Sequence, residues 1–140
     1  MRTGAGGQGP GARWRLGVMS KVSHFRELHV WQRGMDIVET VYRVSATLPK
    51  SELYGLTGQV RRAAVSVPSN IAEGHTRAST KEYLNHVSMA QASLAEVETQ
   101  MEIASRLGYL ASKDLSALLE QAAVLGKQLY ALRNALAKRI

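Results

Sequence analysis

The chain has no cysteine among its 140 residues, few aromatic side chains and no long uninterrupted apolar run. Without cysteine, neither a disulfide framework nor a thiolate metal site can form, which suits a reducing compartment. No stretch approaches the roughly 18 apolar residues of a membrane span, and the N-terminus lacks the continuous apolar core of a signal peptide. We therefore expect a cytoplasmic protein that has no membrane-spanning segment.

The composition favours helices over sheet. Apolar residues make up 45% of the chain and aromatic residues only 6%, and alanine and leucine, both strong helix formers, are the main apolar residues. A chain of this length is sufficient for one domain with a sizeable core. The sequence therefore predicts a single all-α domain.

The net charge of +7 is unevenly distributed along the chain. Residues 1–22 hold four basic residues and no acid, whereas residues 23–140 hold 14 basic and 11 acidic residues. Because residues 1–22 are also glycine-rich and lack an apolar period, we predict a disordered tail there, with Met19 as an alternative start of the gene. Residues 23–140 should form the folded domain, which is only mildly basic.

The second helix, predicted over residues 59–74, is the most distinctive segment. Its apolar residues step by three and four, as expected for a helix face on a core: Leu56, Val60, Ala63, Val67 and Ile71. Arg62, Ser66 and Glu73 fall on the opposite, polar side. Pro68 should kink the helix or end it locally, and Gly74 should end it as the first residue beyond the helix.

The same periodicity predicts a first helix over residues 28–47. Its core face should hold Trp31, Met35, Val38, Tyr42 and Ser45, with Val41 beside it. Pro49 marks the exit, and the short loop that follows should make the first two helices antiparallel neighbours.

The third and fourth helices have recognisable ends. Ser79 and Glu82 have the spacing of a capping box, which predicts the start of the third helix, and Gly108 should end it. The fourth helix should begin near Ser112. It is apolar over most of its circumference, which predicts a subunit interface in addition to the core, formed by Leu119, Ala123 and Tyr130.

The sequence offers little catalytic chemistry. No Glu-x-x-His pair of the kind that holds di-iron in helical bundles occurs. Glu82 and His86, four residues apart, are better explained as a surface pair than as metal ligands. We therefore predict a protein that is not an enzyme, with no cofactor, no metal and no small-molecule substrate.

Four basic residues are close together in the sequence: Arg61, Arg62, Arg77 and Lys81. They could gather at one end of the bundle and contact phosphates, where the free N–H groups at the start of the third helix would assist. The alternative is an ordinary solvated surface.

Several segments resemble one bacterial family. Residues 56–74, which read LTGQVRRAAVSVPSNIAEG, closely resemble the signature of four-helix-bundle proteins encoded by intervening sequences in large-subunit ribosomal RNA genes, often labelled ribosomal proteins. Residues 29–32 (HVWQ), 93–100 (SLAEVETQ) and 107–110 (LGYL) extend the resemblance. It covers residues 25–138.

The resemblance implies an antiparallel up-down four-helix bundle that assembles into a homopentameric ring. It also implies kinship with the accessory protein of diversity-generating retroelements, which binds nucleic acid and a reverse transcriptase. Of the residues that match the family motif, Pro68 and Gly74 are expected to be structural, and three others are expected to serve either the fold and the ring or a ligand: Ser66, Asn70 and Glu73.

Two functional hypotheses follow. The first is a non-enzymatic oligomeric scaffold that binds structured RNA, or a nucleic-acid enzyme such as a reverse transcriptase, through the four basic residues. The alternative is a protein–protein interaction module that binds no nucleic acid. The salt dependence of RNA binding would distinguish them.

Overall fold

The computed structural model describes residues 24–140, which form four α-helices and no strand. The helices are α1 (His29–Ser45), α2 (Gly58–Thr76), α3 (Thr80–Arg106) and α4 (Ser112–Ala137). Short helical turns precede α1 (Phe25–Glu27) and α2 (Lys50–Glu52 and Leu53–Thr57). The tail predicted over residues 1–22 lies outside the described residues.

The helices form a four-helix bundle, as predicted. Each helix packs against the next one in sequence, and α4 also packs against α1, so that the bundle closes on itself. Because the connections are short, neighbouring helices run antiparallel. α1 and α3 therefore begin at the same end of the bundle at which α2 and α4 finish.

The core face of α1 differs from the predicted one. The buried stripe runs through Val30, Gly34, Ile37, Val41 and Val44. Of the predicted face, Ser45 is buried and Trp31 and Val38 are partly buried, but Met35 is 39% exposed and Tyr42 is 44% exposed. The predicted face was wrong at Met35 and Tyr42, because it left out Gly34, which occupies a core position despite having no side chain.

The contact of Pro68 with Gly34 of α1 explains why α2 contains a proline. A Cβ atom on Gly34 would lie 3.3 Å from Cβ of Pro68, so the buried proline packs directly on the α1 backbone. The helix does not end at Pro68, because α2 continues to Thr76.

Gly74 does not end α2 either, contrary to the prediction. It lies inside the helix, and a Cβ atom there would lie 2.8 Å from Cβ of His86 and 2.9 Å from Cδ1 of Tyr83. Glycine is required because α3 approaches the α2 backbone at this point. Arg77 follows the last residue of the helix and caps it.

Both predicted ends of α3 are confirmed. The Ser79 hydroxyl accepts the Glu82 backbone N–H at 3.1 Å, although the Glu82 carboxylate accepts from that hydroxyl, at 3.2 Å, rather than from the backbone N–H of Ser79. Gly108 has a φ of +81°, and Tyr109 N donates to the Ala104 carbonyl at 2.9 Å, as in a Schellman motif.

Within residues 24–140, no helix has both the length and the apolar character that a membrane crossing requires.

Candidate nucleic-acid interface

The structure separates the four basic residues into two pairs. Arg61 and Arg62 lie near the start of α2, whereas Arg77 caps its end and Lys81 lies in the first turn of α3. At 1.5 Å per residue, Arg62 and Arg77 are separated by about 22 Å along the helix axis. The expectation that all four gather at one end is therefore not met, because α2 is one continuous helix.

Arg61 is engaged within the bundle. Its Nε donates to the Ser45 hydroxyl at 2.8 Å, and its Nη2 donates to the Tyr42 carbonyl at 3.3 Å. Its guanidinium carbon also lies 4.6 Å from the centre of the Tyr42 ring, within cation–π range. These contacts tie α2 to α1, whereas Arg62 is exposed.

Arg77 and Lys81 belong to a half of the bundle with an excess of positive charge. We call this the basic half and define it as residues 24–37, 67–93 and 125–140, in which the helices approach the end where α1 and α3 begin. It holds eight lysines and arginines and four acidic residues, whereas the opposite half, residues 38–66 and 94–124, holds six and seven. The charge of the described residues is therefore concentrated towards one end.

All eight cations of the basic half are exposed, among them Arg26, Arg77, Lys81 and Arg139 towards its end. None of them forms an ion pair with another residue in the part of the chain that the structure describes. Burial raises the pKa of the Tyr83 phenol above its ordinary value, and the positive charge of Arg139 partly opposes that increase. Arg139 follows α4, which finishes at the end of the bundle where α3 begins and Lys81 is found.

The start of α3 is less open to phosphate than the sequence suggested. Ser79 already accepts the Glu82 N–H, and the Glu82 carboxylate places negative charge beside the cap. Phosphate groups would therefore meet the basic side chains of this end rather than free backbone N–H groups.

Ser66 and Asn70, two of the family-motif residues, belong to a hydrogen-bond network between α2 and α3. The Ser66 hydroxyl lies 2.8 Å from the hydroxyl of buried Ser93. Asn70 Nδ2 donates to both the carbonyl and the hydroxyl of Ser66, at 2.9 Å each. Ser93, which sequence reasoning did not single out, is thereby joined to the motif.

The network continues from Asn70 towards solvent. Because Asn70 Nδ2 is the donor to Ser66, its Oδ1 accepts from His86 Nδ1, at 3.1 Å. The same His86 nitrogen lies 3.6 Å from Oε1 of the exposed Glu73. His86 therefore pairs with residues of α2, whereas a surface pair with Glu82 had been predicted. Among the described residues, no cluster of histidine, aspartate and glutamate could hold a metal ion.

The three residues predicted at a subunit interface lie outside the core. Leu119 is half-buried and lines a groove of about 390 Å³ between α3 and α4, bordered by Glu98, Thr99, Glu102, Ile103 and Arg106. Ala123 is exposed, and Tyr130 is 59% exposed. Their role as an interface stays a prediction.

Comparison with known proteins identifies the family and solved structures of similar fold. A family model described as "23S rRNA-intervening sequence protein" matches residues 26–131. A solved structure from Bacteroides thetaiotaomicron, described as a protein with unknown function from the S23 ribosomal protein family, superposes with a TM-score of 0.69 at 17% identity. The superposition covers 74% of this chain and 97% of the other. No curated protein matches the chain.

Proposed function

The chain belongs to the family of 23S rRNA-intervening sequence proteins, and from that premise we propose that it is a non-enzymatic oligomeric scaffold that binds structured RNA. The observation that carries the proposal is the segregation of charge, since the basic half holds twice as many cationic as acidic residues. Such a surface attracts phosphates without regard to sequence.

The phosphate contacts assigned to this surface are Arg77, Lys81 and Arg139, to which Arg26 adds a fourth charge. All four are exposed and unpaired within residues 24–140, so that binding a phosphate would break no ion pair of the bundle. Arg61 and Arg62 are not part of this surface, because they lie at the opposite end of α2.

Assembly into a homopentameric ring would strengthen such binding. Copies arranged side by side would repeat the basic half around one rim, and several weak phosphate sites on one RNA would act together. The uncovered apolar side chains of α4, with Ala123 and Tyr130 among them, are the surface that we assign to contacts between copies. Light scattering after size exclusion tests this part, because a stable monomer would exclude it.

The decisive test is the salt dependence of RNA binding by the full chain. A double variant, Arg77→Ala with Lys81→Ala, should weaken binding to a fluorescent structured RNA and reduce the slope of log K against log salt concentration by about 2. The matched control, Arg43→Ala with Lys50→Ala, removes two exposed cations of the opposite half and should leave the slope unchanged. Equal loss of slope in both variants would overturn the assignment.

One observation favours the second candidate, a protein–protein interaction module. At the end of the bundle opposite to the basic half, Leu53 and Leu107 are exposed and Tyr54 is 93% exposed. The two loops that carry them are linked, because the Thr47 hydroxyl donates to the Tyr109 carbonyl at 3.3 Å. A partner complex that survives nuclease treatment and is lost in Tyr54→Ala would support this candidate. The partner could then be a nucleic-acid enzyme such as a reverse transcriptase.

A further inference from the structure

Three aromatic rings lie together in the basic half, in the turn before α1 and in the first turn of α1. The rings of His24 and Phe25 have centroids 4.3 Å apart and planes inclined by 33°. The Phe25 ring in turn lies 5.4 Å from the Trp31 ring, inclined by 58°. The cluster therefore runs from an exposed histidine through Phe25 to the first turn of α1.

The outer part of this cluster is not explained by core packing. Trp31 packs against the hydrophobic core, but Phe25 is only half-buried and is not among the residues that do so. His24 is exposed, and its ring is oriented by its Nδ1, which accepts the Arg26 backbone N–H at 3.2 Å. The histidine ring is thus supported by Phe25 while it faces solvent.

The cluster lies on the same half of the bundle as the unpaired cations. The turn Phe25–Glu27 packs against α2 as well as α1, and Arg26 lies within it. Since the α1 start and the α2 end share one end of the bundle, Arg77 lies at the same end as the rings. An aromatic platform with basic groups around it is the usual composition of a surface that binds unpaired nucleic acid.

A second ring pair in the basic half has a different role. His75 and Tyr83 meet edge to face, with centroids 5.9 Å apart and planes at 88°. Tyr83 packs against the core, so this pair belongs to the contact between α2 and α3. Of these two ring pairs, His24–Phe25 is therefore the one that concerns base stacking.

We infer that the basic half binds single-stranded nucleic acid in preference to duplex, with one base stacked on the ring of His24 and the neighbouring phosphates held by Arg26 and Arg77. The inference rests on the proposed function and specifies which part of a structured RNA is taken, namely its unpaired segments. The physical reason is that a duplex covers the faces of its bases, whereas an unpaired strand offers them to an aromatic ring.

The experiment compares how tightly different nucleic acids bind to the full-length protein. Fluorescence anisotropy is measured with oligouridine, with oligothymidine of equal length and with an RNA duplex of equal length. His24→Ala should weaken binding of the single strands about tenfold and leave duplex binding unchanged, because one stacked base is lost. Phe25→Leu keeps an apolar residue in the turn, and circular dichroism checks that it is folded. It should also weaken binding of the single strands.

The matched control is Tyr54→Ala, which removes an exposed ring from the other half and should change no affinity. A single-strand preference with either sugar supports the inference, and the tighter of the two strands identifies the natural source. Equal affinity for duplex and single strand, or an unaltered His24→Ala variant, overturns the inference while the scaffold stands. The absence of binding to every probe overturns the scaffold itself.

Discussion

Gly74 of α2 and His86 of α3 approach so closely that a Cβ atom on the glycine would lie 2.8 Å from Cβ of the histidine. Gly74→Ala should therefore force the two helices apart. Because overpacking of a rigid contact costs about 1–3 kcal/mol, we expect the free energy of unfolding in urea to fall by that amount.

Gly126→Ala is the matched control for this substitution. Gly126 also lies inside a helix, but the nearest atom to an added Cβ is Leu94 Cδ2 at 3.9 Å, an ordinary contact. Alanine there should stabilise the protein by up to about 1 kcal/mol, since glycine is a poor helix former. Equal effects of the two substitutions would show that the close approach at Gly74 does not govern the packing of α2 on α3.

Asn70→Ala tests whether the network between α2 and α3 serves the fold. The variant leaves His86 Nδ1 without its acceptor and removes the Asn70 amide that donates to the Ser66 hydroxyl. A buried donor or acceptor left without a partner lowers the free energy of unfolding by about 1–3 kcal/mol, which urea unfolding would measure. Ser69→Ala, at the exposed position beside it, should stay within about 0.5 kcal/mol. Unchanged stability of Asn70→Ala together with lost RNA binding would instead assign Asn70 to a ligand.

Local signals in the sequence were sufficient for the architecture. Ser79 and Gly108 act through their own backbone neighbourhood, so the start and the end of α3 could be read directly. Gly34 and Gly74 act through the helix that packs against them, and their roles became visible only when Pro68 and His86 were placed opposite them.

The candidate site was less accessible to prediction for the same reason. Closeness in sequence suggested one group of four cations, but a helix of 19 residues holds Arg62 and Arg77 apart. Arg139 joins Lys81 only through the antiparallel return of α4, and the aromatic pair of His24 and Phe25 joins them only through the closure of the bundle. Tertiary placement decided the site.

Arg61→Ala should lower stability without altering the salt dependence of RNA binding. The variant removes the hydrogen bonds to Ser45 and Tyr42 and the cation–π contact, and we expect a loss of about 1–2 kcal/mol in urea unfolding. The exposed neighbour is the control, and Arg62→Ala should change stability by less than about 0.5 kcal/mol. A decrease in the salt slope of about 1 in Arg61→Ala would return Arg61 to the nucleic-acid interface.

Tyr83→Phe should protect the fold at alkaline pH. Burial raises the pKa of the Tyr83 phenol above 10.0, so the folded state holds this proton more tightly than the unfolded chain does. The stabilising contribution is therefore complete below pH 10.0 and is lost as the pH rises through the folded-state pKa. Unfolding free energies across this range should fall more steeply for the natural chain than for Tyr83→Phe.

Arg139 provides a second arm for the alkaline experiment. Its positive charge lowers the pKa of Tyr83 against the larger effect of burial, since a nearby cation favours the phenolate. Arg139→Ala should therefore raise the folded-state pKa of Tyr83 further and make the alkaline loss of stability larger. In a Tyr83→Phe background, Arg139→Ala should no longer change the alkaline loss of stability. Parallel pH profiles for the natural chain, Tyr83→Phe and Arg139→Ala would mean that the Tyr83 phenol is solvated and that the Arg139 charge does not act on it.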